Sequence, residues 1–226
     1  MAVVTSLQNW FSLPLSYIKD PHNRRFLGMV VGGLVVLGGA LYGYSWYSTY
    51  KEKQAQQIFD DCFQEYEYAQ AGHAQWARVE QLCKVGYQKH SSSHLAPYML
   101  AMEGEALLKQ NKKDEALAVF GTMMSVLPTS SPVYAYHATK YALVQIDTAD
   151  ENIHQKGVAL LTTLAQDTTN SACDMALYYL GLYYWSVNNT ESAKKEWLEL
   201  MKLQEQGQGA PSPWAMLAQD KLRNIL

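Results

Sequence analysis

The sequence predicts an all-α protein in which one N-terminal transmembrane helix is followed by a solenoid of helical hairpins. Two patterns lead to this prediction. The stretch Phe26–Tyr50 contains no Asp, Glu, Lys or Arg. After Lys53, apolar residues recur with the 3.6-residue period of an amphipathic helix, and short clusters of Gly, Pro, Ser or Asn interrupt them. Almost no strand-like alternation occurs in this part, so we expect it to be helical.

The apolar run is the first predicted element. A transmembrane helix needs about 20 mostly apolar residues to cross a hydrocarbon core of roughly 30 Å. Tyr and Trp side chains, which prefer the level of the headgroups, crowd the C-terminal end of the run: Tyr42, Tyr44, Trp46, Tyr47 and Tyr50. We therefore predict four segments: a cytoplasmic tail at 1–25, a transmembrane helix at 26–48, a juxtamembrane linker at 49–53 and a helical domain at 54–226.

A cleaved signal peptide is the alternative to a retained anchor. Its apolar region spans about 7–15 residues and ends at a small-residue cleavage site. Here the run is longer, and its small-residue candidate, Gly38-Gly39-Ala40, lies inside it. We therefore expect a retained anchor.

The basic residues around the span predict its orientation. Lys19, Arg24 and Arg25 precede it, whereas Lys51 and Lys53 follow it. Since Lys and Arg are enriched on the cytoplasmic side, this bias favours a cytoplasmic N-terminus. The domain would then lie outside the cytoplasm, in the periplasm if the source is a bacterium.

Glycines form a stripe along the predicted span. Gly28, Gly32, Gly39 and Gly43 make two pairs with three residues between the members, and they face one side of a helix. Such a stripe lets a second helix approach closely. The alternative is that glycine is simply frequent in transmembrane helices.

Composition limits the classes of partner and of covalent structure. The chain has 226 residues, a net charge of −3 and a pI of about 6.1, and it has no basic block. This charge argues against nucleic acid as a partner.

Three cysteines are too few for a disulfide framework. Cys62 and Cys83 lie on successive predicted helices and could pair in an oxidising compartment. We favour the alternative that Cys62, Cys83 and Cys173 are buried thiols.

The periodicity and its interruptions predict nine helices after the linker. They cover 54–71, 74–89, 94–110, 113–126, 132–147, 151–166, 172–187, 190–204 and 212–225.

Small residues recur where paired helices would cross. The tetratricopeptide unit, a helical hairpin of about 34 residues, places Gly or Ala, a large residue three positions on, Ala nine further and an aromatic four beyond. Two units follow this pattern completely: Gly104, Leu107, Ala116 and Phe120, and then Gly181, Tyr184, Ala193 and Trp197. Helices pack this closely only where the crossing residues are small. The domain is therefore predicted to be a tetratricopeptide-like solenoid.

The remaining segments match the pattern less completely. Ala138 and Tyr141 begin a third unit, whose second helix is delayed by a polar insert at 147–155 and crosses at Gly157. The first hairpin, 54–89, shows no clear crossing glycine. The last helix, which opens at Trp214, is predicted to cap the solenoid.

The first helices of the hairpins are predicted to line a partner-binding groove. Counted from the crossing positions, the groove residues are Tyr98, Ala101, Glu105, Leu108 and Lys109 in one unit, and Met175, Tyr178, Leu182 and Trp185 in another. This apolar and aromatic surface suits an unfolded or amphipathic polypeptide segment. The alternative is that the insert or the C-terminal helix covers these residues as ordinary core.

No pattern of catalytic residues accompanies this architecture. We find no P-loop, dinucleotide fingerprint or nucleophile elbow. His90 and His94 lie on a serine-rich loop without a further ligand beside them, and a metal site needs three or four ligands. We therefore expect a non-catalytic protein with no metal and no cofactor.

Several stretches resemble the ancillary Sec translocon subunit family of Gram-negative bacteria (YfgM-like). The tail and span are similar in SYIKDPHNRRFLGMVVGGLVVLGG, the first repeat region in ARVEQLCKVGYQKHSSSHLAPYMLAMEGEALLKQNKKDEALAVF, and the last hairpin in SVNNTESAKKEWLELMKL. The resemblance implies a single-pass inner-membrane protein whose periplasmic domain lies beside the translocon. It also implies association with a membrane-anchored periplasmic chaperone of the peptidyl-prolyl isomerase type. The same anchor and domain would also suit a scaffold of another envelope complex, such as cell-division or secretion machinery.

Overall fold

A computed structural model describes residues 21–206 and 212–223 of the chain, with side-chain surroundings from residue 29 onward. Within these residues all regular elements are helices, as predicted. In chain order they are α1 (Pro21–Gln70), α2 (Trp76–Lys89), α3 (Ala96–Lys109), α4 (Lys113–Val126), α5 (Tyr134–Ile146), α6 (Glu151–Gln166), α7 (Cys173–Ser186), α8 (Thr190–Gln206) and α9 (Pro213–Arg223).

The chain forms two compact units, one up to Lys53 and one from Gln54 onward, and α1 contributes to both. From residue 29, α1 is long and apolar enough to cross a membrane, with a mean hydropathy of 1.4 over 18 residues that are all exposed. Residues 49–53, predicted to be the juxtamembrane linker, lie within this helix. These residues include neither Gly nor Pro, so nothing in the sequence interrupts the helix there.

The second unit is a tetratricopeptide-like solenoid. Its hairpins are 54–70 of α1 with α2, α3 with α4, α5 with α6, and α7 with α8, and α9 packs on α7 and α8 as a cap. The predicted crossings at Gly104 and Gly181 are confirmed. A Cβ added at Gly104 would lie 2.8 Å from the Phe120 ring, and one added at Gly181 would lie 2.3 Å from Trp197 Nε1. Both aromatic residues are fully buried.

The third unit also crosses where predicted, whereas the prediction for the first hairpin is wrong. A Cβ at Gly157 would lie 2.7 Å from the Ala142 carbonyl oxygen. In the first hairpin, a Cβ at Gly86 would lie 2.8 Å from both Ile58 Cγ2 and Met99 Sδ. Gly86 is thus a crossing glycine, which packs against both Ile58 of α1 and Met99 of α3.

Three of the four hairpins turn in the same way. The second residue after the first helix has a left-handed backbone, with φ of 79° at Gly72, 62° at Asn111 and 60° at Asn188. The following backbone N–H then donates to a carbonyl five residues back, as in a Schellman cap. In the third hairpin, Asp150 instead caps α6 through its side chain.

Candidate functional site: a groove with two pockets

The first helices of consecutive hairpins lie side by side and are joined by polar contacts. Glu105 on α3 accepts a hydrogen bond from the Tyr66 hydroxyl of α1 and pairs with the Lys140 ammonium of α5. α5 in turn packs against α7. We call the surface formed by 54–70 of α1, α3, α5 and α7 the groove.

One pocket of the groove, the apolar pocket, has a volume of about 390 Å³. Its walls are mainly apolar side chains of α3, α5 and α7, with charged groups among them. The lining residues are Glu105, Leu108, Lys109, Phe120, Lys140, Leu143, Val144, Asp147, Met175 and Tyr179.

The second pocket, the aromatic pocket, has a volume of about 230 Å³ and is walled by five aromatic rings. Its lining residues are Phe59, Phe63, Tyr66, Tyr98, Ala101, Met102, Glu105, Tyr136, His137 and Lys140. Phe63 is 47% exposed and Tyr136 is 40% exposed, so part of this apolar surface faces outward. Glu105 and Lys140 line both pockets and therefore mark where they adjoin.

The ion pair between the pockets is held by its surroundings. Burial alone would lower the pKa of Lys140, but the hydrogen bond to Glu105 and the neighbouring Tyr136 raise it, so the ammonium stays charged. The Lys140 Nζ also lies 4.7 Å from the centroid of the Tyr136 ring, in cation–π range. Burial, followed by the hydrogen bond to Glu105, raises the pKa of Tyr66, which therefore stays a phenol and donates.

His137 lines the aromatic pocket as a neutral imidazole. It is buried, and its Nδ1 has no hydrogen-bond partner among the described residues. Burial, followed by the charge of Lys140, lowers the pKa of His137. The Tyr98 and Tyr136 rings meet it edge-on, with centroids 6.4 and 5.3 Å away.

The residues predicted to line the groove separate into three groups. Tyr98, Ala101 and Glu105 line the aromatic pocket. Glu105, Leu108, Lys109 and Met175 line the apolar pocket. Tyr178, Leu182 and Trp185 line neither of these two pockets.

Two of those three residues pack against other helices. The Tyr178 ring is 5.6 Å from Trp214 of α9, so the capping helix covers it. The Trp185 ring is 6.1 Å from Trp197 of α8 but remains 41% exposed. Helix α5 supplies much of the wall of both pockets, although none of its residues is predicted to line the groove. The repeat spacing itself points to Lys140, which follows Glu105 by 35 residues.

The glycine stripe of the span is open in this structure. A Cβ added at Gly32, Gly39 or Gly43 would meet no atom within 4 Å. Gly28 lies in α1, but its surroundings fall outside the described side chains. Contact of this stripe with another helix stays a prediction.

The cysteines are unpaired, and the described residues form no cluster of metal ligands. Cys62, Cys83 and Cys173 are buried free thiols. Among the residues that the structure describes, no three His, Cys, Asp or Glu side chains are grouped to hold a metal ion.

Comparison with known proteins supports the fold. No protein-family model and no curated protein sequence matches the chain. The crystal structure of a tetratricopeptide repeat protein from Parabacteroides merdae, at 2.39 Å resolution, matches with a TM-score of 0.53 and 20% sequence identity. The match covers 75% of this chain and 60% of that one, so the chain spans less than two thirds of its neighbour's length. The second unit of the chain therefore has a tetratricopeptide-like fold.

Proposed function

We propose that the protein is a non-catalytic, membrane-anchored interaction module whose groove holds a polypeptide segment. The observation that carries this proposal is the pair of adjoining pockets along the first helices of the hairpins. Helical-repeat proteins use such concave surfaces for binding. The partially exposed rings of Phe63 and Tyr136 leave apolar area for a partner to cover.

The chemistry of the groove favours a polypeptide with large apolar side chains. Leu143, Val144 and Met175 offer an apolar wall, whereas Glu105 and Lys140 offer polar atoms beside it. Apolar side chains of a bound segment would enter the pockets, and its backbone groups could pair with the polar atoms between them. The carboxylate and the ammonium are already paired, so the groove presents little net charge to select an acidic or a basic segment.

The anchor supplies the second half of the proposed function. We place 26–48 across a bacterial inner membrane, with the N-terminus in the cytoplasm and the domain in the periplasm. The excess of Lys19, Arg24 and Arg25 before the span supports this orientation. In α1, Trp46 stacks on Tyr50 with ring centroids 6.1 Å apart, as suits an aromatic belt at the headgroups.

The proposed partners follow from the resemblance to the ancillary Sec translocon subunits. The span would lie beside helices of the translocon, with Gly32, Gly39 and Gly43 allowing close approach. The groove would hold a segment of a membrane-anchored chaperone of the peptidyl-prolyl isomerase type, or of a polypeptide leaving the translocon. The protein would thus assist chaperone action on translocated proteins.

Topology and partners are tested separately. A reporter that is active only in the periplasm, fused to the C-terminus, should show activity. A cytoplasmic C-terminus would overturn the orientation.

The partners are tested by purifying three full-length proteins in mild detergent: the wild type, Phe63→Glu and the matched control Ala118→Glu. Ala118 lies on the exposed face of α4. We expect translocon or chaperone components with the wild type and Ala118→Glu, and their loss with Phe63→Glu. Recovery of only another envelope complex would contradict the translocon assignment.

A further inference from the structure

Two cysteines meet in the core of the first hairpin. Cys62 lies on the domain part of α1, and Cys83 lies on α2. Both side chains are fully buried in the same apolar cluster.

The close approach of the two helices at this point depends on a glycine. A Cβ added at Gly86 would lie 2.8 Å from Ile58 Cγ2 and 3.7 Å from Cys62 Sγ. The α2 backbone at Gly86 therefore lies directly beside the Cys62 side chain. Cys83 precedes Gly86 by three residues, so both occupy the same face of α2. Close backbone approach is what a disulfide requires, since its two Cα atoms lie about 4.4–6.8 Å apart.

We propose that Cys62 and Cys83 form an intramolecular disulfide when the protein meets a disulfide-containing oxidant. The bond would join α1 to α2 within the first hairpin. That part of α1 carries Phe59, Phe63 and Tyr66, which wall the aromatic pocket. Oxidation would therefore hold this wall of the groove in place.

The reaction is thiol–disulfide exchange in two steps. One cysteine loses its proton, and the thiolate attacks a sulfur of the oxidant, giving a mixed disulfide and releasing one thiolate of the oxidant. The second cysteine then loses its proton and attacks the protein sulfur of the mixed disulfide. The second thiolate of the oxidant leaves, and both released thiolates take up the protons. The protein loses two electrons, and the disulfide of the oxidant is reduced to two thiols.

The environment of the pair determines when this exchange can occur. The neighbouring Cys62 thiol, followed by burial, raises the pKa of the Cys83 thiol far above its usual range. Since the thiolate is the attacking species, exchange is slow while the hairpin is closed. We expect the bond to form during folding or when the hairpin opens locally.

Cys173 provides an internal control. It is buried on α7, and its thiol donates to the Ala165 carbonyl oxygen at 3.3 Å. Cys173 belongs to a different apolar cluster from Cys62 and Cys83. It should stay a thiol under conditions that oxidise the pair.

The test uses the full-length chain in detergent, treated with glutathione disulfide both in the folded state and during refolding from urea. Free thiols are then counted with a maleimide reagent under denaturing conditions, and digests are searched for a peptide containing Cys62 linked to Cys83. We expect one reactive thiol after oxidation and three after reduction, with a higher Tm for the oxidised protein.

Cys173→Ala should keep the linked peptide, whereas Cys62→Ala and Cys83→Ala should lose it. Three reactive thiols in both treatments, or glutathione adducts without the linked peptide, would overturn the proposal.

Discussion

The indole of Trp197 on α8 lies across the backbone of Gly181 on α7. A Cβ at Gly181 would lie 2.3 Å from the indole Nε1 and 2.7 Å from its Cδ1. The Nε1–H donates to the Tyr178 carbonyl oxygen at 3.1 Å, which fixes the ring in place. Gly181 thus makes the space in which the largest fully buried side chain of the solenoid lies.

Substitution of Gly181 should therefore destabilise the last hairpin. We expect Gly181→Ala to lower the free energy of unfolding by about 3 kcal/mol, because the indole must move and strain its hydrogen bond. Gly121→Ala on α4 is the matched control, since its nearest contact is the free end of Tyr141 at 3.4 Å. That variant should change the stability by less than about 1 kcal/mol. Urea unfolding followed by circular dichroism measures both, and equal effects would contradict the assigned crossing.

Because of Glu103, the protein should lose stability as the pH rises toward 7. It is 5% exposed on α3, and burial raises its pKa to about 7, although the charge of Lys84 lowers it. The folded state thus binds this proton more tightly than the unfolded state, in which the pKa has its ordinary value of 4.5. The contribution of Glu103 to stability is therefore fully present below the unfolded value and is lost as the pH rises to about 7.

The free energy of unfolding is measured from pH 4.5 to pH 7, the two pKa values of Glu103. In the wild type, ionisation of Glu103 should lower this free energy by up to about 3 kcal/mol over that range. Glu103→Gln should remove this part of the slope, whereas Glu67→Gln, at an exposed position of α1, should keep it. An unchanged slope in Glu103→Gln would show that another group carries the dependence.

The ion pair between the two pockets should stabilise the solenoid more than a surface pair does. The Lys140 and Glu105 side chains are about one quarter exposed, at 25% and 23%. A double-mutant cycle with Lys140→Met and Glu105→Gln should give a coupling energy of about 1 kcal/mol. The exposed pair of Lys202 and Glu199, 3.0 Å apart, should give only a few tenths of a kcal/mol. Equal couplings would mean that the groove pair is as well solvated as the surface pair.

Local sterics made much of the fold predictable from sequence. The spacing of Gly104 and Phe120 identifies a crossing because both residues belong to one hairpin and only a small residue admits the ring. The turn at Asn188 is also predictable, since Asn tolerates the left-handed backbone found there. Gly86 was missed because its contacts, Ile58 and Met99, lie on two other helices.

The candidate site was less predictable because it depends on contacts between hairpins. Glu105 is predicted to face the groove, but its partners Tyr66 and Lys140 lie 39 and 35 residues away. Which residues meet there depends on how neighbouring hairpins align, and the sequence of one hairpin does not determine this. Tyr178 shows the reverse case, because Trp214 packs on it from another helix and buries it.

Photo-crosslinking from the groove in native membranes tests the central claim most directly. A photoreactive amino acid replaces Tyr136, which lines the aromatic pocket, or Ala118, at an exposed position of α4. Circular dichroism of both purified variants verifies that they fold. We predict adducts with specific polypeptide partners from position 136 and none of these from position 118. Folded protein that gives no adduct from position 136, or the same adducts from both positions, would contradict a groove that holds polypeptide.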